Sequence, residues 1–151
     1  MSLLNLEYAW EEACHGSVPS VVAQPKLKFV SVRKELHMVD CLFCKIRDGQ
    51  IPAKVVYRDD HCLAFEDIHP QAPTHLLFIP LEHIETVNNL TVADSERIGH
   101  LFIAAAKVAR ERGQAESGYR LVVNCNGDGG QLVFHVHLHL LAGRRMTWPP
   151  G

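Results

Sequence analysis

The sequence predicts a small α+β domain, and three observations carry that reading. Five short segments have the length and apolar pattern of strands. One longer segment repeats its apolar residues at three and four positions, the period of an amphipathic helix. Clusters of Gly, Pro, Asn and Asp separate the segments and supply the turns.

In chain order, residues 1–37 read as an extension with little core of its own: 17–25 holds two prolines and no apolar period, and 26–36 is only weakly periodic. Met38 reads as a natural start, so residues 38–151 are expected to form the domain. Residues 41–47 predict a short helix stopped by Asp48-Gly49, 54–57 a strand, and Asp59-Asp60 a turn into a strand over 62–67. Residues 75–79 form an apolar strand between Pro73 and Pro80. Thr91 and Asp94 have capping-box spacing and open the long helix, in which Ile98, Leu101, Phe102, Ala105, Val108 and Ala109 recur on one face before Gly113 ends it. The last two strands, 119–125 and 133–141, are joined through Asn126-Gly127-Asp128-Gly129-Gly130.

The chain has 151 residues, enough for one domain, and with 47% hydrophobic and 21% charged residues it has the composition of a globular protein. No apolar run reaches the roughly 18 residues that would span a bilayer, and no signal-peptide pattern opens the chain. A soluble, cytoplasmic protein is therefore expected. Fifteen Lys and Arg against 17 Asp and Glu leave a net charge of −2, which gives no general attraction to nucleic acid or an acidic membrane. An anionic ligand must be held locally. Five cysteines, Cys14, Cys41, Cys44, Cys62 and Cys125, are too few and too odd in number for a disulfide framework in a chain of this size.

Ten histidines are more informative. In His135-Val136-His137-Leu138-His139-Leu140-Leu141 the alternation, read as a strand, puts three imidazoles on one face about 6.6 Å apart, with Val136, Leu138 and Leu140 toward the core. Gly127, Gly129 and Gly130 just upstream let the backbone turn N–H groups toward one point, an anion nest delivering the chain into the histidines. A neutral imidazole oriented by a carbonyl is a competent nucleophile at phosphorus. The chemistry suggested is phosphoryl or nucleotidyl transfer through a phosphohistidine. A solvated polar strand face and a three-histidine metal site are the other readings of the same pattern.

The run at 135–141, the preceding Gly129-Gly130-Gln131 and the segment Asp67-Ile68-His69-Pro70-Gln71-Ala72-Pro73-Thr74-His75 resemble the histidine triad superfamily, in particular its Hint branch. The tail Trp148-Pro149-Pro150-Gly151 is similar to that branch as well, and residues 39–151 are covered. The resemblance implies a five-stranded, mostly antiparallel sheet with one long and one short helix, assembled as a two-fold homodimer. It implies a purine nucleoside phosphoramidase that cleaves the P–N bond of AMP or GMP amines. His137 would be the nucleophile, His139 would contact the phosphate, and His75 would join the network orienting His137. Asp67 would accept the ribose hydroxyls, while Asn124 and the backbone at Gly130 and Gln131 would hold the phosphate. The purine would lie among Leu42, Phe43, Ile46, Phe65 and Ile68, and Trp148 would reach the opposite subunit's site. Many members carry a small hydroxyl residue after Gly-Gly-Gln where this chain has Leu132. Dinucleoside polyphosphate hydrolysis and a nucleotide-binding module with vestigial activity remain as alternatives.

Cys41-Leu42-Phe43-Cys44 has the spacing of a zinc half-site, and equally suits buried thiols or a redox pair. Bacterial proteins of the superfamily that share the two cysteines complete a structural zinc site with two histidines. The corresponding positions here are His83 and His135.

Overall fold

The computed structural model describes residues 40–150. The expected boundary between 37 and 38 lies outside them. Within them a short helix, α1 (Leu42–Arg47), leads into the strands β1 (Val55–Arg58), β2 (Cys62–Glu66) and β3 (Thr74–Pro80). Two 3-10 turns, Val87–Asn89 and Val92–Asp94, precede the long helix α2 (Ser95–Glu111), and β4 (Tyr119–Val122) and β5 (Leu138–Ala142) close the domain. The strands form one sheet in the order β1-β2-β3-β5-β4, and every neighbouring pair is antiparallel. The fold is thus α+β, an open five-stranded antiparallel sheet with one long helix.

The capping residues sit one turn earlier than a simple helix start. Asp94 accepts hydrogen bonds from the Thr91 amide at 2.9 Å and the Thr91 hydroxyl at 2.8 Å, closing the 3-10 turn from which α2 then runs. At the other end Gly113, at φ +69°, takes the left-handed turn after the helix. Leu101, Ala104, Ala105, Val108 and Ala109 are its buried face. They pack on Cys62, Ala64, Leu76, Phe78, Leu138, Leu140 and Ala142 from three strands. Small alanines at the contact let the helix lie close to the sheet.

The opposite face of the sheet is covered too. Leu63, Phe65, Leu77 and Ile79 pack there with Cys41, Phe43 and Cys44 at the start of α1. This is why all seven residues of β3 are buried and show no alternation in the sequence. The register then sets the site: His139 lies opposite Leu77 and His75 opposite Leu141, so both imidazoles project from the α1 face as diagonal neighbours.

One element differs in its bounds with consequences for the chemistry. The strand expected over 133–141 pairs only from Leu138 to Ala142, so His135 and His137 precede it. Their backbone is held elsewhere: the His135 amide donates to Val133 O at 2.9 Å and the Val136 amide to Ile84 O at 2.7 Å. The three histidines therefore do not form an evenly spaced row.

Candidate active site

A cleft of about 550 Å³ opens on the α1 face, with His137 and His139 in its wall. Asp67, Gly130, Leu42, Phe43, Ile46, Phe65 and Ile68 line the same cleft. Phe43 and Phe65 are buried and meet edge to face with their ring centroids 5.4 Å apart, forming an apolar back wall. Ile68 is exposed at the mouth. Ile51, Pro52, Ala53, Leu77 and Val133 also contribute. Sequence reasoning missed them: Leu77 sits in a continuously apolar strand, and residues 51–53 carry no polar group to mark them.

Hydrogen bonds assign the tautomers of the imidazoles. His137 Nδ1 lies 2.7 Å from the carbonyl oxygen of His135, which only accepts, so Nδ1 carries the proton and Nε2 keeps its lone pair. For His75, the Gln71 amide donates to Nδ1 at 3.2 Å, which places the proton on Nε2. That proton is donated to His139 Nδ1 at 2.9 Å, leaving His139 as the Nε2–H tautomer. His139 Nε2 is buried with no partner within the described protein, a donor in want of an acceptor. His75 thus bonds His139, and His137 in turn meets His139 through a ring contact at 4.8 Å. Asp67 accepts from the His69 amide at 2.8 Å, and its second oxygen lies 3.5 Å from His75 Nε2.

Burial sets the charge state. It is the main cause that pushes His139 down to about 4, with the neighbouring His137 and His75 adding to it, and it holds His137 and His75 below the usual imidazole range. All three rings are neutral at pH 7.

The glycine-rich turn before the histidines is tightly constrained. A Cβ on Gly129 would stand 2.4 Å from the carbonyl oxygen of Cys125, so only glycine fits, and Gly130 takes φ +78°. The amides of Gly130 and Gln131 each donate within this turn at 2.9 Å, to Gly127 O and Asn126 O. In this structure these two N–H groups, expected at the phosphate, close the loop. The Gln131 side chain does the same, accepting from the Asn126 amide at 2.9 Å and donating to Glu85 O at 2.8 Å. Asn124 Nδ2 lies beside Gly130, 3.5 Å from its carbonyl. Leu132 follows at 91% exposure, at the rim.

Beneath the cleft Cys41, Cys44, His83 and His135 form a cluster that could hold a metal ion, with one donor atom from each and all four within 4.8 Å of one another. His135 Nδ1 is 3.5 Å from both sulfurs, and His83 Nδ1 is 3.4 Å from Cys44 Sγ. His135 donates through Nε2 to Pro80 O at 3.0 Å, so its Nδ1 presents a lone pair to the cluster. Burial pushes the Cys44 thiol up to about 11. Trp148 stands apart at 86% exposure and lines no part of its own chain's cleft, and Arg120 holds the tail just before it through the Thr147 carbonyl. No described helix is long and apolar enough to cross a membrane.

The HIT domain family matches residues 48–146. A purine nucleoside phosphoramidase of Escherichia coli is 49% identical over 105 residues, which is 70% of this chain and 88% of that protein. A HIT-like protein of Synechococcus elongatus is 46% identical over 112 residues, 74% of this chain and 97% of its own. Among solved structures, a HIT family hydrolase from Legionella pneumophila superposes with a TM-score of 0.73 at 59% identity, covering 74% of this chain and all of that one. One from Clostridium thermocellum gives 0.70 at 44% identity, covering 72% and 94%. With the family matched across the cleft, the glycine turn and the three histidines, the chain belongs to the HIT domain family.

Proposed function

We infer that the protein is a purine nucleotide-binding hydrolase that cleaves the P–N bond of nucleoside 5′-monophosphoramidates. One observation carries this most: His137 presents a bare Nε2 in a cleft that also holds the Asp67 carboxylate and an aromatic wall. The base lies against Phe43 and Phe65, and Asp67 accepts from the ribose diol, for which an acceptor-only group is suited. His137 Nε2 attacks phosphorus while the unpartnered His139 Nε2–H donates to a phosphoryl oxygen, a donor fixed in place before charge develops. The P–N bond breaks with its electron pair leaving on nitrogen, which takes up a proton. Water then cleaves the nucleotidyl-histidine and releases AMP or GMP. Assaying an adenosine phosphoramidate, AppppA and ADP side by side tests this: turnover confined to the phosphoramidate is expected, and preference for either of the others overturns it.

Since burial holds His137 below 6.5, its lone pair survives mild acidity. The acid limb of kcat/KM is expected below pH 6.5, and a limb above it would assign the nucleophile elsewhere.

Leu132 replaces a hydroxyl that would hydrogen-bond the phosphate or the departing amine. Leu132→Ser is expected to raise the rate by about 10- to 100-fold, the worth of one transition-state hydrogen bond of about 1–3 kcal/mol. An unchanged or lower rate would show that this chain treats its leaving group differently.

The four-donor cluster is proposed as a structural zinc site. Tetrahedral zinc with Zn–S near 2.3 Å and Zn–N near 2.0–2.1 Å has S···N edges of about 3.5 Å; three of the four S···N separations here are 3.4–3.5 Å, and all four donors lie within 4.8 Å of one another. Bound zinc would supply a cross-link between α1 and the segment before β5, and no step of the reaction runs through it. A two-fold homodimer is proposed as well: β4 lies at the edge of the sheet, a side open to pairing. In it Trp148 would reach the partner's leaving-group side. Truncation after Arg145 is expected to change the ranking of alkyl against aromatic amines while AMP affinity moves little. An equal loss for all amines with weaker AMP binding would make the tail a purely structural element.

A further inference from the structure

His135 is held from two directions. Its ring is fully buried, fixed at Nε2 by Pro80 O at 3.0 Å and facing both Cys41 and Cys44 sulfurs at 3.5 Å through Nδ1. Its carbonyl accepts the His137 Nδ1 proton at 2.7 Å. A strand would turn that carbonyl into a ladder with its neighbour. Because pairing begins only at Leu138, the carbonyl is free to accept from a side chain two residues on, and its direction is set by the Val136 amide of the same peptide, which donates to Ile84 O at 2.7 Å, together with what holds the His135 side chain. The second tie runs through Phe43, which stands between the two cysteines. Its ring packs edge-on against His137 at 5.1 Å, lies 6.1 Å from His135, and forms part of the cleft wall.

We propose that the Cys41, Cys44, His83 and His135 cluster is a positioning device for the nucleophile: metal ligation by these side chains fixes the His135 main chain and the Phe43 ring, and these fix the tautomer and aim of His137. This rests on His137 being the nucleophile proposed above. His135 is then a positioning residue that acts through its carbonyl, and it touches no reacting atom. In the absence of a shared ion the cluster is held by thiol–imidazole hydrogen bonds, which are weak, and the His135 ring keeps its Nε2 bond to Pro80 O as its firm anchor. Coupling of this kind is reciprocal: whatever factor metal adds to AMP affinity, AMP adds to metal affinity.

The test uses the full chain, zinc-loaded and after chelation, with ring-15N-labelled histidine. Loaded protein is expected to show one His137 tautomer with Nε2 unprotonated. Chelated protein is expected to show a mixture, with AMP binding at least about fivefold weaker and kcat on an adenosine phosphoramidate at least about tenfold lower, as follows from a misaimed nucleophile. Zinc affinity, measured by chelator competition, should rise with AMP by the same factor. A folded, metal-free protein with an unchanged His137 tautomer and unchanged AMP affinity overturns the proposal. Where chelation unfolds the chain, the 113Cd-loaded protein decides: its cadmium resonance should move when AMP binds and move again in His137→Ala, and a resonance indifferent to both overturns it. Loaded protein that shows the coupling yet does not turn over the phosphoramidate sinks the proposed reaction and leaves the coupling intact.

Discussion

His137→Ala is expected to abolish phosphoramidate hydrolysis while leaving AMP affinity within about a few-fold of the unaltered protein. The asymmetry follows from the division of labour in the cleft. In the proposed reaction His137 supplies the protein atom that bonds to phosphorus, whereas the Phe43 and Phe65 wall and the carboxylate of Asp67 remain in place. The buried His139 Nε2–H also remains available to a phosphate oxygen. Residual turnover above about 1% of the unaltered rate would sink the covalent route, since removal of a true nucleophile costs several orders of magnitude. A parallel loss of AMP binding would mean that the alanine had opened the wall at the Phe43 contact, 5.1 Å away. A crystal or NMR check of Phe43 in the variant separates the two.

The double substitution Cys41→Ser/Cys44→Ser should take bound zinc from about one per chain to none. The stability lost is expected to be about 3–4 kcal/mol when free metal stands 100- to 1,000-fold above its dissociation constant, as mass action requires of a ligand bound only by the folded state. Metal analysis of protein purified without chelator, with thermal unfolding of both forms, measures this. Metal-free unaltered protein that is equally stable would remove the zinc reading and leave two buried thiols. The effect is smaller than in zinc-dependent mini-domains because this chain has a core of its own between sheet and α2.

Much of this was legible in advance because the relevant signals are local. A strand or helix shows itself through spacing alone, so the five strands, the helix ended at Gly113 and most of the apolar face of α2 could be read from residue types a few positions apart; Phe102, expected on that face, is exposed. Candidate residues were legible by type and motif: imidazoles at 135, 137 and 139, a carboxylate at 67, thiols three apart at 41 and 44. Long-range hydrogen bonds have no such signature. That His75 meets His139 follows from the diagonal register of β3 on β5, 64 residues apart in the chain. That the Gly130 and Gln131 amides donate within their own turn depends on which carbonyls the backbone meets.

The sequence by itself determined the element types and the inventory of chemical groups, because these depend on period and composition. Only the tertiary structure decided which partner each histidine's ring nitrogens meet. Three imidazoles alternate evenly in sequence, yet the ladder starts at Leu138, so one ring turns down to the cysteines, one keeps a bare nitrogen in the cleft and one takes its tautomer from another strand. A tautomer is set by the partner at the far nitrogen, and that partner is supplied by the fold, not by neighbours in the chain.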